Sequence, residues 1–94
     1  MTTISDIQTH NRVAGHHFFD RETMRFFNSR VLEGVYGGRF FVTSERFESE
    51  PRRYTVRKYD RATGWVDSAS DFQAFATARQ AIRFAVELTK EVEV

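Results

Sequence analysis

The sequence predicts a small α+β domain of order α-(α)-β-β-β-α, with helices covering one face of a three- or four-stranded antiparallel sheet. Three observations point there. Apolar residues recur at helical spacing near both ends of the chain, around Ile4, Ile7 and Ala14 and again from Phe75 to Leu88. The middle alternates apolar and polar residues with the period of a strand. Two glycine-bearing turns, Gly37-Gly38 and Asp60-Arg61-Ala62-Thr63-Gly64, separate those alternating runs. At 94 residues, with 40% apolar side chains and ten Phe, residues 1–94 are expected to form one folded domain.

Residues 4–15 read as the first helix. Thr3 followed by Asp6 suits an N-cap, and Gly15 a C-terminal stop. Residues 20–28 read as a short second helix capped by Asp20, with Phe19 and Met24 spaced as a hydrophobic staple. Phe26 and Phe27 point about 100° apart on such a helix, so one enters the core and the other need not. Residues 31–36 and 39–45 read as strands joined by a two-residue type I′ turn at Gly37-Gly38. Phe40 and Val42 share one face of the second strand, Phe41 and Thr43 the other.

Residues 53–59 read as a third strand, with Tyr54 and Val56 on one face and Arg53, Thr55, Arg57 and Tyr59 on the other. The latter face is expected to be at least partly open. Trp65-Val66-Asp67 begins a return strand. The last helix runs from about Ala78 to Thr89. Both Ser70 with Gln73 and Thr77 with Gln80 fit a capping box. Thr77 is preferred, which leaves Phe72 to Phe75 as a short extended piece. Phe75, Ala78, Ala81, Ile82, Ala85 and Leu88 make an apolar stripe wide enough to cover a sheet.

Composition narrows the function. No stretch approaches the ~20 apolar residues of a membrane-spanning helix, so no membrane partner is expected. Residues 1–6 lack the basic start and apolar run of a secretion signal. The absence of Cys excludes disulfides, thiol catalysis and Cys-based zinc sites. His10, His16 and His17 do not match a tight metal-binding spacing, and no nucleophile motif or P-loop is present. The protein is therefore expected not to be an enzyme and to carry no cofactor or metal.

The net charge of +1 hides a bias: twelve of the fourteen basic residues are Arg, the side chain that forks onto carboxylates and phosphates and stacks on rings. Arg52, Arg53, Arg57, Lys58 and Arg61 crowd into ten residues with one acid, Asp60. With Tyr59 as a stacking platform, and Trp65 near it, they form the candidate binding face for a protein partner or nucleic acid. Arg25 and Arg30, flanking Phe26 and Phe27, form a second candidate patch. A near-neutral chain is not held on nucleic acid by bulk charge.

The order helix-strand-strand-strand-helix is similar to that of double-stranded-RNA-binding domains. Such domains carry basic residues at the start of the last helix, where Arg79 matches but Ala78 and Ile82 do not. Their Gly-Pro-x-His loop is replaced here by Gly37-Gly38. The segments Phe19-Asp20-Arg21-Glu22-Thr23-Met24-Arg25-Phe26-Phe27-Asn28-Ser29-Arg30, Phe41-Val42-Thr43-Ser44-Glu45 and Pro51-Arg52-Arg53-Tyr54-Thr55-Val56-Arg57 resemble a group of small, uncharacterised proteins carried by bacteriophages and plasmids. The resemblance spans most of residues 18–85 and carries no functional residues with it. It implies the setting of a mobile element and the cytoplasm of a bacterial host. By analogy it implies an inhibitor that occupies a host defence complex, as anti-CRISPR proteins do. The expected function is thus a non-catalytic binding protein with a host protein or nucleoprotein partner. A direct RNA- or DNA-binding domain is the alternative, and an uncovered strand edge offers a homodimer contact.

Overall fold

The computed structural model describes residues 2–26 and 28–92. It is built from α1 (Ile4–Val13), α2 (Arg21–Phe26), β1 (Arg30–Tyr36), β2 (Phe40–Glu45), β3 (Arg53–Tyr59), β4 (Val66–Ser68) and α3 (Ala78–Val92). The four strands form one antiparallel sheet in the order β1-β2-β3-β4. This is the α+β class that the sequence predicts, with the fourth strand present. The radius of gyration, 12.8 Å, is that of a single compact body at this length. No helix among the described residues is long and apolar enough to cross a membrane.

Local chemistry accounts for the element ends. Thr3 and Asp6 form a reciprocal capping box: Thr3 N–H donates to the Asp6 carboxylate (2.9 Å) and Asp6 N–H to the Thr3 hydroxyl (3.2 Å). These bonds, the backbone one foremost, hold the Asp6 carboxyl below its ordinary range. Helix α1 ends at Val13, two residues earlier than predicted, with Gly15 at φ +85° just beyond its C-cap, Ala14. Helix α2 is shorter than the predicted 20–28 and buries none of its residues. Asn28 turns left-handed just beyond it (φ +48°). Asp20 meets His17 Nδ1 at 2.7 Å. Helix α3 starts where Thr77 accepts from Gln80 N–H, and Gln80 answers to Ala76 N–H, each at 3.2 Å. The predicted extended piece at 72–75 reduces to one bridge between Phe75 and Tyr54.

Both glycine turns form. Gly37 and Gly38 take φ +61° and +69°, as a type I′ turn needs, but strand pairing resumes at Phe40 opposite Tyr36. Arg39 therefore belongs to the turn, and its carbonyl accepts from Tyr59 N–H of β3. Gly64 (φ +76°) closes the β3–β4 turn and lets α1 approach: a Cβ there would lie 2.9 Å from the His10 carbonyl oxygen. In β1 the pairing jumps from Val31–Thr43 to Val35–Phe41. The shift is even, so Val31 and Val35 stay on one face, with Leu32 and Tyr36 on the other.

The face alternation predicted for β2 and β3 holds. Phe40, Val42 and Val56 pack under Ala81 and Ala85 of α3, whose small side chains let the helix sit close to the sheet. Phe41, Tyr59 and Val66 occupy the opposite face. That second face is where the structure departs from expectation: it is not open. Ile7 of α1 packs there, with Phe18 and Phe19 from the loop that follows. Phe19 stacks on Phe41 and Phe18 meets it edge-on. The physical reason is economy of apolar surface: so small a chain needs Phe18, Phe19 and Phe41 in its core.

Candidate functional site

The basic run from Arg52 to Arg61 divides among three environments. Arg52 fastens the end of α2 to β2: its Nη1 donates to the Asn28 carbonyl (2.9 Å) and to Ser44 Oγ (2.9 Å). Burial and the neighbouring charge of Arg30 make Arg52 a weaker base than an ordinary guanidine. Arg53 holds the loop before α3 through the Gln73 carbonyl (2.8 Å) and the Ala74 carbonyl (3.4 Å). Both are occupied by the fold.

Arg57 belongs to the covered face. Its Nε donates to Thr43 Oγ1 (3.0 Å) and its Nη1 to Ser68 Oγ (2.8 Å), while Nη2 lies 3.7 Å from Glu45 Oε2. Its guanidinium carbon sits 5.2 Å from the Phe18 ring centroid and 5.9 Å from that of Phe72. Burial weakens its hold on the proton, and the Glu45 carboxylate opposes that. Glu45 is 1% exposed. Its Oε1 accepts from the Thr55 hydroxyl (2.7 Å), which in turn accepts from Gln73 N–H (2.8 Å). Its Oε2 has no hydrogen-bond partner among the described residues. A cavity of about 290 Å³ opens beside this pair, lined also by Phe18, Met24 and Phe72. A second cavity, about 420 Å³, lies across Phe18 and Thr23 from the first, and buried Asn11 lines it. Asn11 Nδ2 donates to the Gly64 carbonyl, and its Oδ1 is likewise unpartnered.

The third environment is a cleft at the other end of the sheet. Lys58 and Arg61 meet there with Arg39, around Asp60 and Tyr59. All three cations are exposed, and no hydrogen bond or ion pair among the described residues engages their charged groups. Arg61 lies against Gly38, where any side chain would collide with its guanidinium. The Ala62 N–H (2.8 Å), and more weakly the charge of Lys58, keep the Asp60 carboxyl below its ordinary range. Arg39, absent from the residues singled out in the sequence, joins because the hairpin turn projects from the same end. No sequence signal marked it, because residue 39 reads there as the start of a strand and only the pairing of Phe40 with Tyr36 puts it in the turn.

Tyr59 is not a stacking platform. It is 7% exposed, and its hydroxyl is bonded to His10 Nδ1 of α1. The placement of Ile7 over Phe41 closes that side of the strand. Trp65 is half-exposed and edge-on to His16 (4.7 Å between centroids). Arg25 and Arg30 are exposed, and Phe26 between them is 77% exposed; Phe27 lies outside the described residues. The histidines are dispersed, with His16 on the Thr63 carbonyl and His17 on Asp20. No cluster of three metal-ligating side chains occurs among the described residues.

A family described as a family of unknown function (DUF7447) matches residues 3–86, and the chain belongs to it. No curated protein and no solved structure matches the chain.

Proposed function

We propose that this member of the DUF7447 family is a non-catalytic binding protein that acts by occupying an acidic surface of a partner. The observation that carries the reading is the convergence of Arg39, Lys58 and Arg61 on one cleft, with no ion pair among the described residues consuming their charge. Arg52 and Arg53 of the same basic run, by contrast, are engaged by the fold. Unspent cations at one end favour a negatively charged partner and speed its encounter. With the sequence resemblance to phage- and plasmid-borne proteins, the reading takes the cytoplasm of a bacterial host as the compartment. It takes a host protein or nucleoprotein complex of the defence type, such as a CRISPR effector, as the partner. Arg25, Phe26 and Arg30 extend the candidate contact surface.

Affinity capture of the tagged chain from bacterial lysate, with nuclease-treated and untreated halves, tests this. The expected result is a stoichiometric protein partner that survives nuclease and is lost with the Arg39→Ala/Arg61→Ala variant. These exposed substitutions should leave stability within about 0.5 kcal/mol. Recovery of no stoichiometric partner, or equal recovery by the variant, contradicts the reading. Recovery that vanishes with nuclease moves the cleft to direct nucleic-acid binding. In that case three phosphate contacts predict log K falling with log salt at a slope of about −2.7.

A further inference from the structure

The Glu45–Arg57 cavity and the cationic cleft share no lining residue, although Arg57 and Lys58 are neighbours on β3. Buried polar atoms in folded proteins are almost always hydrogen-bonded, so an orphan carboxylate oxygen calls for an explanation. Here Glu45 Oε1 is satisfied by Thr55, and Oε2 is left facing Arg57 Nη2 across 3.7 Å. That gap is too long for a hydrogen bond. The two atoms are therefore not hydrogen-bonded to each other, and both residues line the cavity.

Charge selects among ligands. The pair sums to zero, so an added cation would be repelled by Arg57 and an added anion by Glu45. A neutral group that donates to Oε2 and accepts from Nη2 satisfies both at once. The walls select again: Phe18, Met24 and Phe72 are apolar, and two of the three are rings. They favour a flat ligand. A volume of about 290 Å³ is at the small end for ligand pockets. It suits one ring system rather than a dinucleotide.

We propose that the Glu45–Arg57 cavity binds a small, neutral, planar ligand with an N–H beside a C=O, a cyclic amide of the pyrimidine-base type. Its N–H donates to Glu45 Oε2 and its carbonyl accepts from Arg57 Nη2. The ring lies against Phe18 and Phe72. This site stands independently of the cationic cleft, so either can fail alone. The same chemistry is offered by a free base or nucleoside and by an unpaired base of a nucleic-acid strand.

Titration of the full-length protein with uracil, followed by amide chemical shifts, reads the site. Saturable shifts should appear around Thr43, Glu45, Arg57 and Phe72, with a Kd of ~1 mM or tighter for so small a ligand. 1,3-Dimethyluracil, which keeps both carbonyls but has no N–H, should bind about tenfold or more weakly, because it leaves the carboxylate oxygen unpaired. Glu45→Gln should abolish binding: Thr55 retains the amide oxygen and the amide NH₂ faces the cavity, replacing an acceptor by a donor. Should that variant fold poorly, Phe72→Ala at the half-exposed rim gives a second reading and should also weaken uracil. Uridine and a single-stranded oligouridylate separate the sources. Tighter binding of the strand through the same shifts assigns the base to nucleic acid; equal or weaker binding assigns it to the free pool. Equal affinity for uracil and its dimethyl derivative, or no saturable shift at these residues, overturns the proposal.

Discussion

On one face of the sheet, Val42 and Val56 meet Ala81 and Ala85 of α3 in an aliphatic layer. One step along the same strands, Thr55 is bonded to Glu45 and Thr43 to Arg57, and the two charged side chains face each other at 3.7 Å, with Phe18 and Phe72 bordering Arg57. The two faces share backbone and strand register, yet apolar burial accounts for the first and for the Ile7–Phe41 layer of the second, not for the charged pair beside it. Aliphatic burial stabilises by roughly 25 cal/mol per Å² without further conditions. A buried ion pair stabilises little, because desolvation offsets the attraction between its charges, and apolar residues of similar volume often do as well or better. What the second face keeps is a charged acceptor and donor poised at a cavity. The difference teaches where to look for recognition in a chain whose family carries no assigned activity.

The largest expected effect comes from the place where the two faces are most alike. Phe41 is fully buried between Phe18 and Phe19 on the polar face. Phe41→Ala should lower the unfolding free energy by about 4 kcal/mol in urea denaturation. A loss below about 1 kcal/mol would mean that the aromatic layer is not a true core and that this face is as open as the sequence suggested.

Arg57→Ala comes next, at about 3 kcal/mol, because it leaves Glu45 buried without its counter-charge. The same measurement sharpens the comparison: no residue on the α3 face should show a loss tied to charge. The smallest effect is at the start of α1, which carries Ile7 onto the polar face. Thr3→Ala should lose about 1 kcal/mol. The Asp6 half of that capping box has its own signature. Its carboxyl titrates below the ordinary value of 3.8 because the bound form is ionised. Its contribution is fully present above that value and disappears as pH falls through the lower folded value. The helical signal of α1, followed by circular dichroism or amide shifts, should therefore fray only in acid below about pH 4.

Much of this was legible in the residues themselves. Alternation assigned Phe40 and Val42 to one face, Phe41 and Thr43 to the other, and likewise Tyr54 and Val56 against Thr55, Arg57 and Tyr59, because the period of a strand is two and the hairpins fix the register. Thr77 marked the start of α3 through the capping pattern it makes with Gln80. The cover over the second face was not legible. Ile7, Phe18 and Phe19 reach Phe41 through contacts distant in sequence, and no local pattern declares which sheet face a loop will cross. The candidate sites were read in part. Arg57, Lys58 and Arg61 stood out by composition, but composition could not separate a buried Arg from an exposed one. Nothing local to Glu45 marks it: its burial and its orphan Oε2 arise only once the second face is covered. Arg39 joined Lys58 and Arg61 through a turn one residue longer than expected.

The claim that the polar face is kept for recognition rather than stability is tested most directly by replacing the pair as a unit. The unfolding free energy of the Glu45→Leu/Arg57→Met double variant should be compared with that of the native chain and of Arg57→Ala. The account predicts that the double variant falls within about 1 kcal/mol of the native chain or exceeds it, recovering what the single change loses. A double variant as unstable as the single one would contradict it, and would make the pair part of what holds the fold together.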